Sequence, residues 1–451
     1  MSRPDPSPEP ASGSSWLGRR LPLLVGAIAQ GGHCVARYQG RVLFVRHCLP
    51  GESVIAEVTE DRGGSFCRAD AVEVLVAAPQ RVAPPCEYAH PGGCGGCDFQ
   101  HVSLDGQRAL KAAVVAEQLA RLAGIDRDVT VRALATPRGL DQPAAGSLDR
   151  DQLADDGLGW RRRIRFAVTP DGALGLRKHR SHRVVPVTHC PLGAPGVGDA
   201  TALTGRWPEL SELEVAADDL GAVAVTGYRQ LKPATNRPGR RAQRPQLRAQ
   251  QLSGPAELHY QVAGREFRLR PTGFWQTHPQ AAVTFVETVL AAAELRAGER
   301  ALDLYAGAGL FTAALAAEVG SHGRVLGLEG DSAAVAAAHG NLADLAWASV
   351  ARATVTGAAV EAAVAELGRP AAIVLDPPRA GAGAEVLRAV LAARPRVVIY
   401  VACDPAALAR DLRTAVEQGW ELAELSAFDA FPMTHHMECI AVLRDAGPAR
   451  P

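Results

Sequence analysis

The residues best placed to do chemistry in this 451-residue chain stand where apolar runs end. Cys403 follows Val398-Ile399-Tyr400-Val401-Ala402 and precedes Asp404-Pro405. A buried strand would deliver that thiol to its carboxyl end just before a helix begins, where a thiolate can be exposed and stabilised. A lone cysteine after such a run is more often a small buried hydrophobe, but its closeness to the Asp376 loop favours a nucleophile. Glu438 opens the last apolar run and is flanked by Met437, Cys439 and Ile440. Partial desolvation in that company would raise its pKa toward the range useful for moving protons. His435 and His436 could also act as bases, although adjacent loop histidines are more often plain polar neighbours.

Asp376-Pro377-Pro378-Arg379 follows the apolar run 371–375. The prolines remove backbone donors and stiffen the loop, holding the aspartate at the rim of a sheet. Asp-Pro-Pro favours turns in any context. Behind a buried strand it is also characteristic of enzymes that methylate amino groups or bases on planar rings. Another run ends in Asp303-Leu304-Tyr305-Ala306-Gly307-Ala308-Gly309, whose glycines would let the backbone approach a ligand at the start of a helix. Glu329 ends the next run and is placed to hold a ribose diol through two hydrogen bonds. Dinucleotide and S-adenosylmethionine sites share this logic. The G-x-G pattern alone fits a structural turn equally well; Glu329 and Asp376 give it weight.

Nine cysteines is an odd number, and Cys86, Cys94, Cys97 and Cys190 form a set of their own. Clustered cysteines in a cytosolic enzyme point to metal or catalysis before disulfides. There is one C-x-x-C, with Cys86 upstream and Cys190 far downstream, and this spacing leaves zinc and an iron–sulfur cluster both open. Cys34, Cys48 and Cys67 fall in a β-rich segment where small buried residues are expected.

The elements that must position these groups follow from patterning. Residues 1–15 are Pro/Ser-rich and read as a disordered tail. Across 16–78, short β-branched runs at 23–25, 41–45, 54–58 and 71–76 alternate with Gly- and Pro-containing turns, the pattern of a small β-barrel of a kind that often binds nucleic acid. Residues 79–262 read as a central α+β domain with the cysteine set, a helix at 104–123, a polar loop at 136–157 and paired strands at 160–168 and 174–187. Within it, 201–262 is the least legible part. A basic insertion spans 229–248, and 161–165 and 177–183 are further basic stretches able to meet phosphates or to be solvated strand faces. From 263 to 451 strands at 301–305, 324–328, 371–375, 396–402 and 436–443 alternate with Ala/Leu-rich helices, among them 332–345 and 384–393. That alternation predicts an α/β doubly wound, mostly parallel sheet. Lys plus Arg and Asp plus Glu are 48 each, so a polyanionic partner would have to be met by local clustering. The absence of a long apolar run or leader points to a cytoplasmic protein without a membrane segment.

Taken together, these segments resemble the RNA uridine-5 methyltransferase family, S-adenosylmethionine-dependent enzymes that make 5-methyluridine in ribosomal or transfer RNA. The resemblance runs over nearly the whole chain. Gly31-Gly32-His33-Cys34-Val35-Ala36-Arg37 and Leu49-Pro50-Gly51-Glu52 are similar to the family's RNA-binding TRAM barrel. Gly273-Phe274-Trp275-Gln276, the 303–309 loop, Glu329 and the Asp376 motif match its cofactor-binding motifs. Tyr400-Val401-Ala402-Cys403-Asp404-Pro405 and the segment 431–438 match those of the nucleophile and the general base.

The resemblance implies a C-terminal Rossmann-like methyltransferase sheet with Cys403 attacking uracil C6 and Glu438 removing the C5 proton. It implies that Gln276, Tyr305, Gly307, Glu329 and Asp376 bind S-adenosyl-L-methionine, and that Cys86, Cys94, Cys97 and Cys190 hold the 4Fe-4S cluster carried by one branch. The partner would be rRNA or tRNA, and the protein a monomer. Departures are His278 and Asp404, where Asn is frequent, a loosely matching Gly340-Asn341, and Ala358 where an acid often stands near the adenine. Two other readings use the same residues: methylation of a base amino group, needing no Cys403, or a non-catalytic RNA-binding or assembly factor. Loss of the Cys403 or Glu438 motif would have favoured the latter, and both are present.

Overall fold

Alternation of inward and outward residues builds the N-terminal part. In the computed structural model, which describes residues 15–134, 156–231 and 246–447, the strands Arg20–Leu24, Ser53–Asp61, Phe66–Val76, Arg41–Arg46, His33–Tyr38 and Ile28–Ala29 adjoin in that order in one sheet. Leu21, Leu23, Ala36, Leu43, Val45, Val54, Ala56, Val58 and Ala69 fill its inner face. Cys34, Cys48 and Cys67 are buried in the same core, as expected of small apolar residues. Phe99, Val102 and Val114 close that core from outside the sheet, so the cysteine-bearing segment packs directly on it.

The segment least legible in the sequence supplies half of the second sheet. Glu212–Ala217 and Val223–Gln230 pair with each other, with Arg163–Val168 on one side and Leu247–Ser253 on the other. Leu174–Arg177 and Val184–Pro186 complete an antiparallel meander. Of the basic insertion, Arg229 and Arg248 face each other as paired strand residues. Lys232, Arg237, Arg240, Arg241 and Arg244 lie outside the described residues, as do residues 1–14 of the expected tail and most of the polar loop 136–157. Of the two further basic stretches, 161–165 is largely neutralised: Arg162 pairs with Asp219, Arg163 with Glu214 at 3.5 Å, and Arg165 with Glu214 at 3.2 Å.

The third sheet has eight strands in the order Ala348–Arg352, Arg324–Glu329, Arg300–Leu304, Ala372–Leu375, Val397–Ala402, Glu438–Asp445, Trp420–Asp429 and Val131–Ala133. All neighbours are parallel except Glu438–Asp445, which runs antiparallel to both strands beside it. The five expected strands are present within two residues of their expected ends, together with three more. Helices Ser332–Asn341 and Ala384–Ala392 match their predicted positions, the first ending sooner. Among the described residues no helix is long and apolar enough to cross a membrane.

Two contributions come from earlier in the chain. The hairpin Leu258–Val262 with Arg265–Leu269 stacks Tyr260 on Trp275 at 4.8 Å between ring centroids. Helix Leu104–Gln118 runs into a π turn, Leu119–Ala123, and Val115, Leu119 and Ala123 pack beneath the sheet with Tyr400, Leu412 and Trp420. That helix is tied to the sheet by a buried ion pair: Lys111 Nζ donates to Asp429 Oδ1 at 2.5 Å and to the Phe431 carbonyl at 3.1 Å. Asp429 Oδ2 makes no hydrogen bond within the protein. Removing one partner of such a pair leaves an uncompensated buried charge. Lys111→Ala is therefore expected to destabilise the protein by about 3–5 kcal/mol, read as a lowered thermal or urea midpoint. Lys111→Met with Asp429→Leu should recover most of the loss; a single mutant as stable as the wild type would remove the pair from the set of structural ties.

Candidate active site

The register of the antiparallel strand decides which side chains meet. Val401 pairs with Ile440 and Ala402 with Cys439, so the next step in register brings Cys403 beside Glu438 at the sheet's edge. Leu375 pairs with Tyr400 and with Leu304, which delivers Asp376 and the 303–309 turn to the same edge. Open parallel sheets bind ligands there, beyond the carboxyl ends of their strands.

Electrostatics in this corner are those of acids deprived of water. Burial, with the nearby Asp376 carboxylate, raises Glu438 well above the usual carboxylate range, while Arg379 pulls it down. Burial and Asp303 push Asp376 up to about 7. Cys403 is pushed up to about 12, first by burial and then by Glu438, with Arg379 again opposing. The sequence suggested a stabilised thiolate at this position; burial in the structure instead favours the thiol. The helix Pro405–Glu417 does begin just beyond it, but its first amides are capped by Asp404, which accepts from Ala407 N at 2.8 Å. Arg379, which the sequence marked only as the end of a motif, is the cation acting on both reactive groups.

A cavity of about 230 Å³ opens beside Cys403. Its walls come from three parts of the chain: Gln30 to Gly32 of the first sheet, Phe99, Lys111 and Val114 of the middle segment, and Arg379, Asp404, His435 and His436 around the nucleophile. Gln30 Nε2 donates to Asp404 Oδ2 at 2.8 Å, linking the N-terminal sheet to the residue after the nucleophile. Asp98 joins all three parts. One oxygen accepts from His435 Nδ1 at 2.6 Å and the other from Arg46 at 3.2 Å, while the amides of Asp98 and Phe99 both donate to the Met433 carbonyl. Gly32 fits because it has no side chain: a Cβ there would lie 3.0 Å from the Cβ atoms of Asp98 and His435. These ties escape sequence reading, since Gln30, Asp98 and Lys111 belong to no motif of reactive groups.

The other side of Asp376 has the features of a nucleoside site. Glu329 accepts from Gly307 N at 2.9 Å with one oxygen and from Asp331 N at 2.7 Å with the other, keeping a lone pair on each. A Cβ on Gly307 would meet nothing within 4 Å, so the turn fronts open space. Asp303 accepts from Thr312 Oγ1 at 2.6 Å and leaves Oδ1 unpartnered, with burial pushing it up to about 7. Tyr305 adopts a φ of 66° there, its amide donating to the Leu328 carbonyl. Asn341, loosely matched in sequence, donates to the Ala308 carbonyl at 3.0 Å and steadies the turn. Gln276 follows the core residue Trp275 on a separate segment, and no hydrogen bond ties it to the others among the described residues. Ala358 is exposed near the start of helix Gly357–Leu367, and His278 is buried against Trp160 with their rings 5.9 Å apart.

Cys86, Cys94, Cys97 and Cys190 line one common cavity. Gln100 Nε2 donates to Cys97 Sγ at 3.2 Å, Gly96 N donates to Cys94 Sγ at 3.3 Å, and the amides of Tyr88 and Ala89 face Cys86. Burial raises all four thiols, Cys94 to about 11. Among the described residues, no group of three or more His, Cys, Asp or Glu is placed to hold a metal ion.

The fold and site together define a methyltransferase of the open parallel-sheet type, fused behind an N-terminal TRAM domain. Residues 255–446 match the family model for tRNA (Uracil-5-)-methyltransferase, and residues 15–72 match that for the TRAM domain. A protein of Streptomyces avermitilis described as an RNA methyltransferase is 42% identical over 451 residues, covering 95% of this chain and 99% of its own. The 23S rRNA (uracil(1939)-C(5))-methyltransferase RlmD of Halomonas elongata is 36% identical over 481 residues, covering 98% of this chain and 93% of that one. Among solved structures, the tRNA (uracil-54, C5)-methyltransferase of Pyrococcus abyssi, in complex with S-adenosyl-L-homocysteine, matches in fold. Its TM-score is 0.65 at 22% identity, over 93% of this chain and 99% of that one. This chain belongs to the S-adenosylmethionine-dependent RNA (uracil-5-)methyltransferase family.

The opposed effects of Glu438 and Arg379 on the thiol give a direct test. Cys403 alkylation by iodoacetamide, followed on its own peptide by mass spectrometry, should be slow near neutrality and rise with pH, because a raised thiol pKa leaves little thiolate. Glu438→Gln removes a carboxylate that resists ionisation and should shift that profile to lower pH. Arg379→Ala should shift it to higher pH. Profiles that coincide in all three proteins would show that the charges do not act on Cys403.

Proposed function

We propose that the protein methylates C5 of a uridine in rRNA or tRNA through a covalent bond between Cys403 and C6 of the base. The observation that carries this reading is the meeting of a thiol and a buried carboxyl, Cys403 and Glu438, at the same end of two paired strands, with Cys403 lining the cavity. An amino-group methyltransferase would need neither. Uracil C5 is too weakly nucleophilic to be alkylated directly; attack of a thiolate at C6 turns the ring into an enolate with charge at C5.

S-adenosyl-L-methionine supplies an electrophilic methyl group to that carbon. The residues present suit it: Glu329 for the ribose hydroxyls, Gly307 and Tyr305 for close backbone approach, and Asp376 and Gln276 toward the reacting end. Glu438 resists ionisation of Cys403, while Arg379 favours the charged form of both. Attack uses Cys403 as the thiolate, its proton released to solvent. Release of the Glu438 proton to solvent, which Arg379 favours, leaves the carboxylate that acts as the base. Glu438 then takes the C5 proton, the C5–C6 double bond re-forms, and Cys403 leaves as a thiolate.

Cys86, Cys94, Cys97 and Cys190 would hold a 4Fe-4S cluster. Four thiols with N–H donors suit cubane ligation. No step above uses an electron, so the cluster's part is structural: it fixes the loop from which Asp98 reaches His435. The reading carries with it a monomeric enzyme acting in the cytoplasm.

Cys403→Ala is expected to abolish methyl transfer while leaving S-adenosylmethionine affinity within about twofold, and full activity would sink the nucleophile. Glu438→Gln should accumulate a protein–RNA complex that survives denaturation, since proton removal is the step lost; normal turnover without that complex would give the proton to another base. Protein purified without oxygen should be brown and hold about four irons per chain. A colourless preparation containing one zinc would overturn the cluster and leave the methyl transfer standing.

A further inference from the structure

The outer face of the N-terminal sheet carries a row of side chains that the reaction leaves unused. Leu43, Val45, Cys67 and Ala69 point into the core, so the alternating residues Phe44, Phe66 and Arg68 point out. Pairing sets Phe44 directly opposite Arg68. The rings of Phe44 and Phe66 meet edge-on at 5.5 Å, and Phe66 is 46% exposed. The Arg68 guanidinium lies over both, 5.5 Å and 5.7 Å from their centroids. On the adjoining strand His33 stands edge-on to Phe44 at 6.4 Å and to His179 at 5.4 Å. His33 directly follows Gly31 and Gly32, which line the cavity beside Cys403. The row therefore runs from an open edge at Phe66 to the mouth of the catalytic cavity.

Charge along this row is unbalanced. Glu60 is a single carboxylate shared by three guanidinium groups: Arg62 at 2.9 Å, Arg68 at 3.6 Å and Arg180 at 3.7 Å. In a chain whose acids and bases are equal in number overall, this is a local excess of positive charge around an exposed aromatic ring. Aromatic faces accept any base, and guanidinium groups beside them take the connecting phosphates. A uridine drawn out of its stack leaves its neighbours without stacking partners. One exposed ring among arginines is too small an apolar area for a stable protein interface.

We propose that Phe66, Phe44 and Arg68 form a stacking platform for the single-stranded RNA nucleotides that flank the target uridine, with Arg62 and Arg180 meeting their phosphates. This rests on the RNA methyltransferase reading and extends it to the form of RNA that is gripped. The test uses the full chain, fluorescein-labelled oligouridine for binding, and RNA from a strain lacking the enzyme for turnover. Phe66→Ala should weaken oligouridine binding and raise KM for RNA about 10-fold, with kcat at saturating RNA and S-adenosylmethionine affinity unchanged. Phe66→Tyr, which keeps a ring, should restore both. Arg68→Gln should reduce the slope of log affinity against log salt by about one, whereas Phe66→Ala should leave that slope alone. Wild-type affinity and KM in both Phe66→Ala and Arg68→Gln would overturn the platform. So would a raised KM with oligouridine binding intact, which would assign this face to folded RNA. Failure of the wild type to form 5-methyluridine in any RNA would instead defeat the activity, and the oligouridine measurement would still decide the platform.

Discussion

The meeting of Cys403 and Glu438 depends on one strand running the wrong way. In a sheet whose other neighbours are parallel, carboxyl ends gather at one edge and amino ends at the other. Glu438–Asp445 is inserted antiparallel between Val397–Ala402 and Trp420–Asp429, so its first residue emerges where its neighbour's last one does. A parallel strand in that place would bury its first residue at the far side of the sheet, some 20 Å away for a strand of ordinary length. The reversal puts an acid next to a thiol without any loop having to fold back over the site. It also buries that acid, since both flanking strands cover it, and burial is the first cause of its altered affinity for protons.

The loop leading into that strand, residues 430–437, is mostly buried and is held from outside. Gln107 makes the tightest grip: its amide donates to the carbonyls of Phe99 and Val102, and its oxygen accepts from Met433 N at 2.7 Å. Lys111 and Asp98 secure the same loop at Phe431 and His435. A stretch from Cys97 to Lys111 thus secures the entry to the last strand. Tyr400 performs the corresponding service on the nucleophile strand. Its hydroxyl donates to Asp411 at 2.6 Å, and Asp411 accepts from Ala382 N, fixing the loop that carries Arg379.

Reading the chain alone recovers these reactive groups because strand ends are visible in sequence: Cys403, Asp376, Glu329 and Glu438 each border an apolar run. It fails where pairing is a property of the partner. Ala348–Arg352 buries only Val350, Trp420–Asp429 is interrupted by Glu421, Glu424 and Ser426, and Val131–Ala133 is three residues long; none looks like a strand until a neighbour offers its edge. The arginines at 162, 163 and 165 look like a phosphate-binding run because their acids, Asp219, Glu212 and Glu214, stand fifty residues away along the chain and one strand away in space. The Cys403 thiol shows the same limit for chemistry. Its motif marks a nucleophile, but its proton affinity is set by residues from two other loops.

The cavity beside Cys403 draws its walls from the N-terminal sheet, the cysteine-bearing segment and the methyltransferase sheet at once. The parts of this chain are consequently not interchangeable modules. A methyltransferase domain severed from the rest keeps Cys403 and Glu438 yet loses Gln30, Gly32 and Asp98, and with them part of the wall and bracing of that cavity. Domains recombined from different relatives would have to agree at these few points to rebuild it. Inheritance of the whole chain as a unit, seen in relatives aligned over nearly their full length, follows from a binding site that no single domain owns.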